Sequence, residues 1–534
     1  MRRRRLTEAL GLSLAAPLGP RLGLGLGLGL PLAGAGGLPA AGVRAETRLQ
    51  APQAARQDAA PATPPTTPTT PTTPTTPPPA PPRDTRAEDR VAPQRTWRWP
   101  RDHGAHPSTA IEWWYVTGWL SPAMSAGTFT GTSTGTPTGL SADTFTATRP
   151  LSDTAAPPAS PPALPTPAHG FQITFFRSRT GLAGRGRWAP RQLLFAHAAL
   201  TTLPPAGRAA GTTHITTHDA HDTRNPAAAG DPHRPDTAGA HRHAQRVMRW
   251  NGDPALPEAH AALDDTRLRI GPWQLQRREP GDPGTPSLYQ ARLMAPAEGF
   301  GLALDLRASQ PLLLQGEQGW SRKGPQPQQA SCYLTEPQLQ VSGRIWRDGR
   351  EQAVQGRAWL DHEWSDSLLD PQASGWDWIG INLADGSALT AFRLRRPDDH
   401  PVWGGGSWRS PGRPMQPFAH DALDWQPLRV WRSPHTGIRY PVAWRVRSRA
   451  PMAAARTAAR GDGPSAWTAD GRLDVEVHAL LDAQELDSRA STGAIYWEGL
   501  VELCAGGSRQ RLGLGYLEMT GRGERLMLGG SVGG

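Results

Sequence analysis

The apolar positions of this chain recur at alternate residues and rarely at helical spacing. After Phe171, the run Gln172-Ile173-Thr174-Phe175-Phe176-Arg177 alternates polar with apolar, the mark of a half-buried strand. Ile111-Glu112-Trp113-Trp114-Tyr115-Val116 is aromatic and β-branched, and Gly118 ends it. The run 192–200 is apolar enough for a buried strand. Shorter strands are predicted at 267–270, 273–277, 289–294, 301–308, 312–315, 331–334 and 339–347. More follow at 358–364, 428–432, 440–447, 473–479, 494–501 and 512–519, with a glycine-rich turn at Gly404 to Gly406. Short strands separated by turn residues predict an all-β sandwich or barrel. Glu112-Trp113 is echoed by Glu363-Trp364, which fits two related antiparallel β-barrels.

Four stretches break this pattern. Residues 1–45 open with Arg2 to Arg5, continue as a Leu/Gly/Ala tract and end at Val43-Arg44-Ala45. This reads as a signal peptide of the Sec or twin-arginine type, cleaved after Ala45. The alternative is a retained anchor, against which Pro17, Pro20, Pro31 and the many glycines argue. The protein is then periplasmic or secreted, touching a membrane peripherally if at all. Residues 46–95 are Pro/Thr-rich and predict a disordered linker. Residues 123–168 and 204–245 predict low-complexity insertions between strands. The second carries His214, His218, His221, His233, His241 and His243, without cysteine or regular ligand spacing. A His-bearing loop is favoured there over a metal site. The globular domains are 96–325 and 326–523, followed by a flexible tail, 524–534.

Net charge is +10, carried almost wholly by arginines that are scattered outside the N-terminus, with no basic stripe interleaved with aromatics. That pattern argues against nucleic acid as a partner. Twenty-one Trp against six Tyr suits aromatic-lined interiors. Two cysteines, Cys332 and Cys504, make no framework. They are read either as a bridge between the opening and closing strands of the second domain or as two buried thiols.

The densest chemistry is Ala358-Trp359-Leu360-Asp361-His362-Glu363-Trp364. On a strand Trp359, Asp361 and Glu363 share one face, and Leu360, His362 and Trp364 the other. Acids beside large apolar rings acquire raised pKa values, as acid catalysis requires. The bland reading is a row of surface acids beside core tryptophans. Asp361, His362 and Glu363 are the catalytic candidates. Trp359, Trp364, Trp376, Trp378, Glu112, Trp113 and Trp114 are the ligand-binding candidates, with no metal site assigned.

The motifs EWWYVTGWL, GFQITFFR, LLFAHAALT, LLQGEQGWSRKG, WLDHEW, GWDWIGINLADGSALTAFRLR, YPVAWRV, YWEGLVEL and GLGYLEMTG occur in order. Together they resemble the AttH branch of the hydroxyneurosporene synthase (carotenoid 1,2-hydratase) family, whose members include predicted secreted hydrolases. The resemblance covers about 101–521 apart from the two insertions. It implies two lipocalin-like β-barrel domains, an extracytoplasmic location, and a partnership with an ABC-type transporter permease for lipid-like cargo. The hydratase branch adds water across a terminal carbon–carbon double bond without a cofactor. Its pattern pairs a His-x-Trp with a Tyr-x-Asp on a following strand. His362 and Trp364 match the first pair, but Phe392 and Leu394 stand where the second belongs. The proton donor of that pattern is therefore missing, and Asp361, Glu363 and Asp377 are the candidates to replace it.

Three functions follow. An aromatic-lined barrel binds a small apolar ligand without chemistry. A neutral carboxylic acid beside indole faces can protonate an alkene and stabilise the cation, which is hydratase chemistry. Hydrolysis is least favoured, because neither a Gly-x-Ser-x-Gly elbow nor an HExxH helix is present.

Overall fold

The computed structural model describes residues 89–123, 166–180, 192–205, 240–250, 259–278, 286–366, 369–456 and 465–525. The expected signal peptide, most of the expected linker, the bulk of both insertions with His214, His218, His221 and His233, and the end of the tail lie outside them. Among the described residues no helix is long and apolar enough to cross a membrane.

The fold is all-β, with two sheets filled one after the other. The first sheet takes β1 (Ile111–Pro122), β2 (His169–Arg179), β3 (Gln192–Thr202), β4 (His241–Trp250), β5 (Ala259–Ala261), β6 (Arg267–Ile270) and β7 (Trp273–Arg278). It continues with β8 (Leu288–Ala295), β9 (Phe300–Arg307), β10 (Leu313–Leu314), β11 (Trp320–Arg322), β12 (Ala330–Arg347) and β13 (Arg350–Ser365). The second holds β14 (Gly375–Leu383), β15 (Ala388–Arg395), β16 (Pro401–Arg409), β17 (Gln416–Pro417) and β18 (Leu423–Arg432). It ends with β19 (Arg439–Ser448), β20 (Asp474–Ala479), β21 (Glu485–Ser488), β22 (Ala494–Ala505) and β23 (Arg511–Met519).

The first sheet has the order β4-β3-β2-β1-β13-β12-β9-β8-β7-β6-β5, with β10 and β11 on β12. Two antiparallel meanders are joined by the β12–β13 hairpin, so β4 approaches β5 and the sheet curls nearly into a closed barrel. The hairpin turns at Asp348-Gly349, both at positive φ, the residues a tight turn of this hand selects. The second sheet, β17-β16-β15-β14-β23-β22-β20-β19-β18 with β21 on β22, is an open, curled half-barrel. The expected pair of closed barrels is therefore one near-closed barrel and one half. The chain changes sheets between Ser365 and Gly375, well after the expected domain boundary at 325/326.

Four apolar clusters result among the described residues, the smallest formed by Cys332, Leu334 and Trp364. The barrel interior is packed by residues such as Trp114, Phe171, Leu275, Leu304 and Leu360. The half-barrel packs Ile379, Trp408, Trp444, Trp497 and Leu517. A third core fills the seam between the sheets with Tyr115, Trp119, Trp359, Trp378, Phe392 and Tyr516.

Several sequence expectations are corrected. Asp89 is buried, pairs with Arg101 at 2.8 Å and accepts from the Ser108 hydroxyl at 2.9 Å, so order reaches into the expected linker. His241 and His243 belong to β4 and pair with Thr201 and Ala199, so the second insertion ends before its predicted boundary. Gly404 to Gly406 lie inside β16 opposite Arg393, Phe392 and Ala391 rather than in a turn. A Cβ on Gly405 would meet the Phe392 ring at 2.8 Å, and Gly406 has φ +143°, so the glycines make room for an aromatic ring. Of the two readings of the cysteines, that of two buried thiols holds for Cys332 and Cys504, but they lie on different sheets rather than in one domain's opening and closing strands, opposite Trp364 and Arg511.

Candidate functional site

The strand β13 lies between β1 and β12, and its alternation is that expected from sequence. Asp361 and Glu363 stand beside Tyr115 and Trp113 of β1 and beside Thr335 and Tyr333 of β12. These side chains leave the barrel and enter the seam. His362 stands between Trp114 and Leu334 and points into the barrel.

On the seam side Asp361 is fully engaged. Its Oδ2 accepts from the Tyr333 hydroxyl at 2.7 Å, and its Oδ1 from Thr335 Oγ1 at 2.6 Å and the Trp359 indole at 2.8 Å. The Trp378 indole donates to Tyr333 Oη at 3.2 Å, fixing the direction of the Tyr333 proton. Burial pushes the Asp361 carboxyl up to about 7, although those three donors pull the other way. Glu363 accepts from the Ser331 hydroxyl and pairs with Lys323 Nζ at 2.9 Å. The Lys323 ammonium also lies 4.2 Å from the Phe392 ring centroid and 4.6 Å from that of Tyr333.

The second sheet closes the far wall. Trp376 and Trp378 of β14, Phe392 and Leu394 of β15, Tyr496 and Glu498 of β22, and Glu518 of β23 line a common cavity with Trp113, Tyr115, Asp361 and Glu363. The enclosed space is narrow, about 90 Å³. Glu498 and Glu518 are paired neighbours across β22 and β23. Burial pushes Glu518 up to about 8 despite a hydrogen bond from Trp376, and burial together with Glu518 holds Glu498 well above the usual carboxylate range. Glu498 Oε2 and Tyr115 Oη are buried without a hydrogen-bond partner. Neither glutamate was singled out from sequence, although both sit in quoted motifs, Tyr-Trp-Glu at 496–498 and Tyr-Leu-Glu at 516–518. An acid two residues beyond a tyrosine, and so on the same strand face, was the available signal.

His362, Trp364, Glu112 and Trp114 belong to a separate cluster on the barrel side. Glu112 Oε1 lies 2.7 Å from His106 Nδ1 and 2.9 Å from His362 Nε2. Its Oε2 accepts from Arg177 Nε and from the His106 backbone, each at 2.8 Å. His106 stacks on Trp364 at 3.6 Å, and His362 on Trp114 at 4.5 Å. Burial raises the Glu112 carboxyl, but His106 and Arg177 outweigh it and hold the group well below its ordinary range. Burial lowers His362 to about 4 against the pull of Glu112. Ligand atoms of His106, Glu112 and His362 lie within 4.8 Å of one another, a metal-like spacing. Arg177 already supplies the countercharge of that carboxylate.

The sequence-predicted residues thus divide. Asp361, Glu363, Trp113, Trp376 and Trp378 meet at the cavity. Trp359 supports Asp361 and packs edge-on to Trp378 at 6.3 Å. Glu112, Trp114, His362 and Trp364 do not reach it. Asp377, a candidate replacement acid, faces away from it, ringed by Arg393, Arg395 and Arg522, and those cations overcome burial and hold it far below the carboxylate range.

Fold and cavity together define an all-β, barrel-containing protein with a small cavity lined by acids and aromatic rings. The chain belongs to the AttH-like family, whose model matches residues 234–522. It is 36% identical to an AttH-like protein of Nitrosomonas europaea of known structure, covering 81% of this chain and 99% of that one at a TM-score of 0.55. Kievitone hydratase from Nectria haematococca covers 79% of this chain and 92% of its own, at 10% identity and a TM-score of 0.42, too distant to argue from. No curated protein matches the chain.

Proposed function

We propose that this protein binds a small, largely apolar ligand in the seam between its two sheets. The observation that carries this reading is the pair of unpartnered polar atoms, Glu498 Oε2 and Tyr115 Oη, buried in an aromatic slot. A buried polar atom without a partner costs on the order of 1–3 kcal/mol, a cost that a ligand or bound water would offset. Expected export and delivery to an ABC-type permease fit a carrier of apolar cargo and form part of the same proposal. Mass spectrometry of small molecules extracted from the purified protein tests it. The expected result is a ligand retained by the parent and by His362→Ala but lost from Trp378→Ala. Retention by Trp378→Ala, or loss from His362→Ala alone, would place the pocket elsewhere.

Cofactor-free hydration is the second reading. It is supported by Asp361, a carboxyl held near neutrality beside the indoles of Trp359 and Trp378. Such an acid can protonate an alkene carbon, and an indole face can stabilise the resulting cation before water adds. The product would be heavier by one water, and Asp361→Asn should abolish its formation. Hydrolysis gains less support, because the cavity lining holds serines but no histidine among the described residues.

A further inference from the structure

Resting on the reading of the seam as a ligand pocket, we propose that it selects ligands bearing a basic nitrogen. The alkylammonium or quaternary ammonium head sits among Glu498, Glu518 and Tyr115, and an apolar tail runs along the slot. The first ground is charge. Asp361 and Glu363 face the cavity from β13, Glu498 from β22 and Glu518 from β23. Among the described residues lining the cavity Lys323 is the cation, and it is committed to Glu363. The arginines of β15, Arg393 and Arg395, turn to the opposite face and pair with Asp377, as does Arg522. Tyr115, Tyr333 and Tyr516 are held well above their ordinary range by burial, and Tyr496 lies above it for the same reason, so none adds charge. His197, 6.2 Å from the Tyr496 ring, is lowered by burial to about 3 and is neutral at physiological pH.

The second ground is a precedent inside the cavity. Lys323 shows how an ammonium is held here, by one carboxylate at 2.9 Å and two ring faces at 4.2 and 4.6 Å. Around Glu498 and Glu518 the same ingredients recur, with Trp376, Tyr115 and Tyr496 as the rings, and Glu498 Oε2 is buried without a partner. A neutral donor could hydrogen-bond Glu498 Oε2, but only a cation also offsets the charge of the acids once they ionise, and an anionic ligand would then be repelled.

Binding a cation requires ionised acids, so the bound state sheds protons. Affinity for an ammonium should then rise with pH through about 8, where Glu518 titrates, and with the ionisation of Glu498, which burial and Glu518 hold well above the usual carboxylate range. The test titrates the full chain with n-octylammonium, 1-octanol and octanoate at pH 6 and pH 9, by calorimetry. At pH 9 n-octylammonium should bind tighter than octanol by on the order of tenfold, with octanoate weakest. The preference should shrink at pH 6 and approach unity in the Glu498→Gln/Glu518→Gln double variant. If that variant does not fold, the pH comparison on the parent protein decides alone. Octanol binding as tightly as n-octylammonium at pH 9 overturns the ammonium preference and leaves the pocket standing. Binding of n-octylammonium that survives Trp378→Ala unchanged overturns its location. No heat from any of the three, together with no extractable ligand, overturns the pocket itself.

Discussion

Asp361 and Glu112 sit on adjacent strands, on opposite faces of one sheet, and both are almost fully buried. Burial lifts Asp361 to about 7 against three neutral donors, whereas His106 and Arg177 overcome burial and hold Glu112 well below its ordinary range. The two therefore answer pH differently. Asp361 and Glu518 bind their protons more tightly folded than unfolded, so their contribution is full at low pH and is lost as pH rises through about 7 and about 8. The buried histidines act in the opposite sense, since His362 at about 4 and His197 at about 3 make the fold gain stability up to about pH 6.5. The carboxyl effect is thus isolated above pH 6.5. Between pH 6.5 and 9 the protein should lose on the order of 2–3 kcal/mol, and Glu518→Gln should flatten that slope. Calorimetric melting across that range measures it, and a parent whose melting temperature stays level would show the acids already ionised at neutral pH. Glu112→Gln uncouples a buried ion pair and should cost roughly 3–5 kcal/mol by denaturant titration.

The strand β13 was legible in the sequence because its alternation is strict and mixes acids with indoles. Its hairpin turn, Asp348-Gly349, also carries a local signal. The strand β16 was not, because a run of three glycines reads as a turn unless the ring it accommodates, Phe392, is known to lie across from it. The pairing of Glu498 with Glu518, and their approach to Asp361, depend on how β22 meets β23 and how the second sheet docks on the first. No local periodicity encodes either. Two tests belong at this scale. Gly406→Ala places a Cβ 2.2 Å from the Thr390 carbonyl at φ +143°, and should cost more than about 1–3 kcal/mol in a denaturant titration. Replacing residues 206–239 by a short Gly/Ser linker should leave the melting temperature within a few degrees on their polar composition. Extending the cut through Gln245 removes half of β4 from the edge of β3 and should lower it sharply.

At the scale of the molecule, the pocket belongs to neither sheet alone, because the acids of β13 and those of β22 and β23 approach it from opposite walls. Cys332 and Cys504 lie on those separate sheets, so thiol labelling under denaturing, non-reducing conditions should count two reactive thiols per chain. One reactive thiol or none would mean that the sheets are covalently tied or the thiols modified. The pleat of β13 acts as a party wall. Positions 361 and 363 furnish the pocket, and positions 362 and 364 furnish the barrel's buried network. A combinatorial library confined to positions 361 and 363 would therefore change the lining of the cavity while leaving the barrel's buried network in place. The same library shifted by one residue would instead alter the His362–Glu112 contact and the stack of Trp364 on His106.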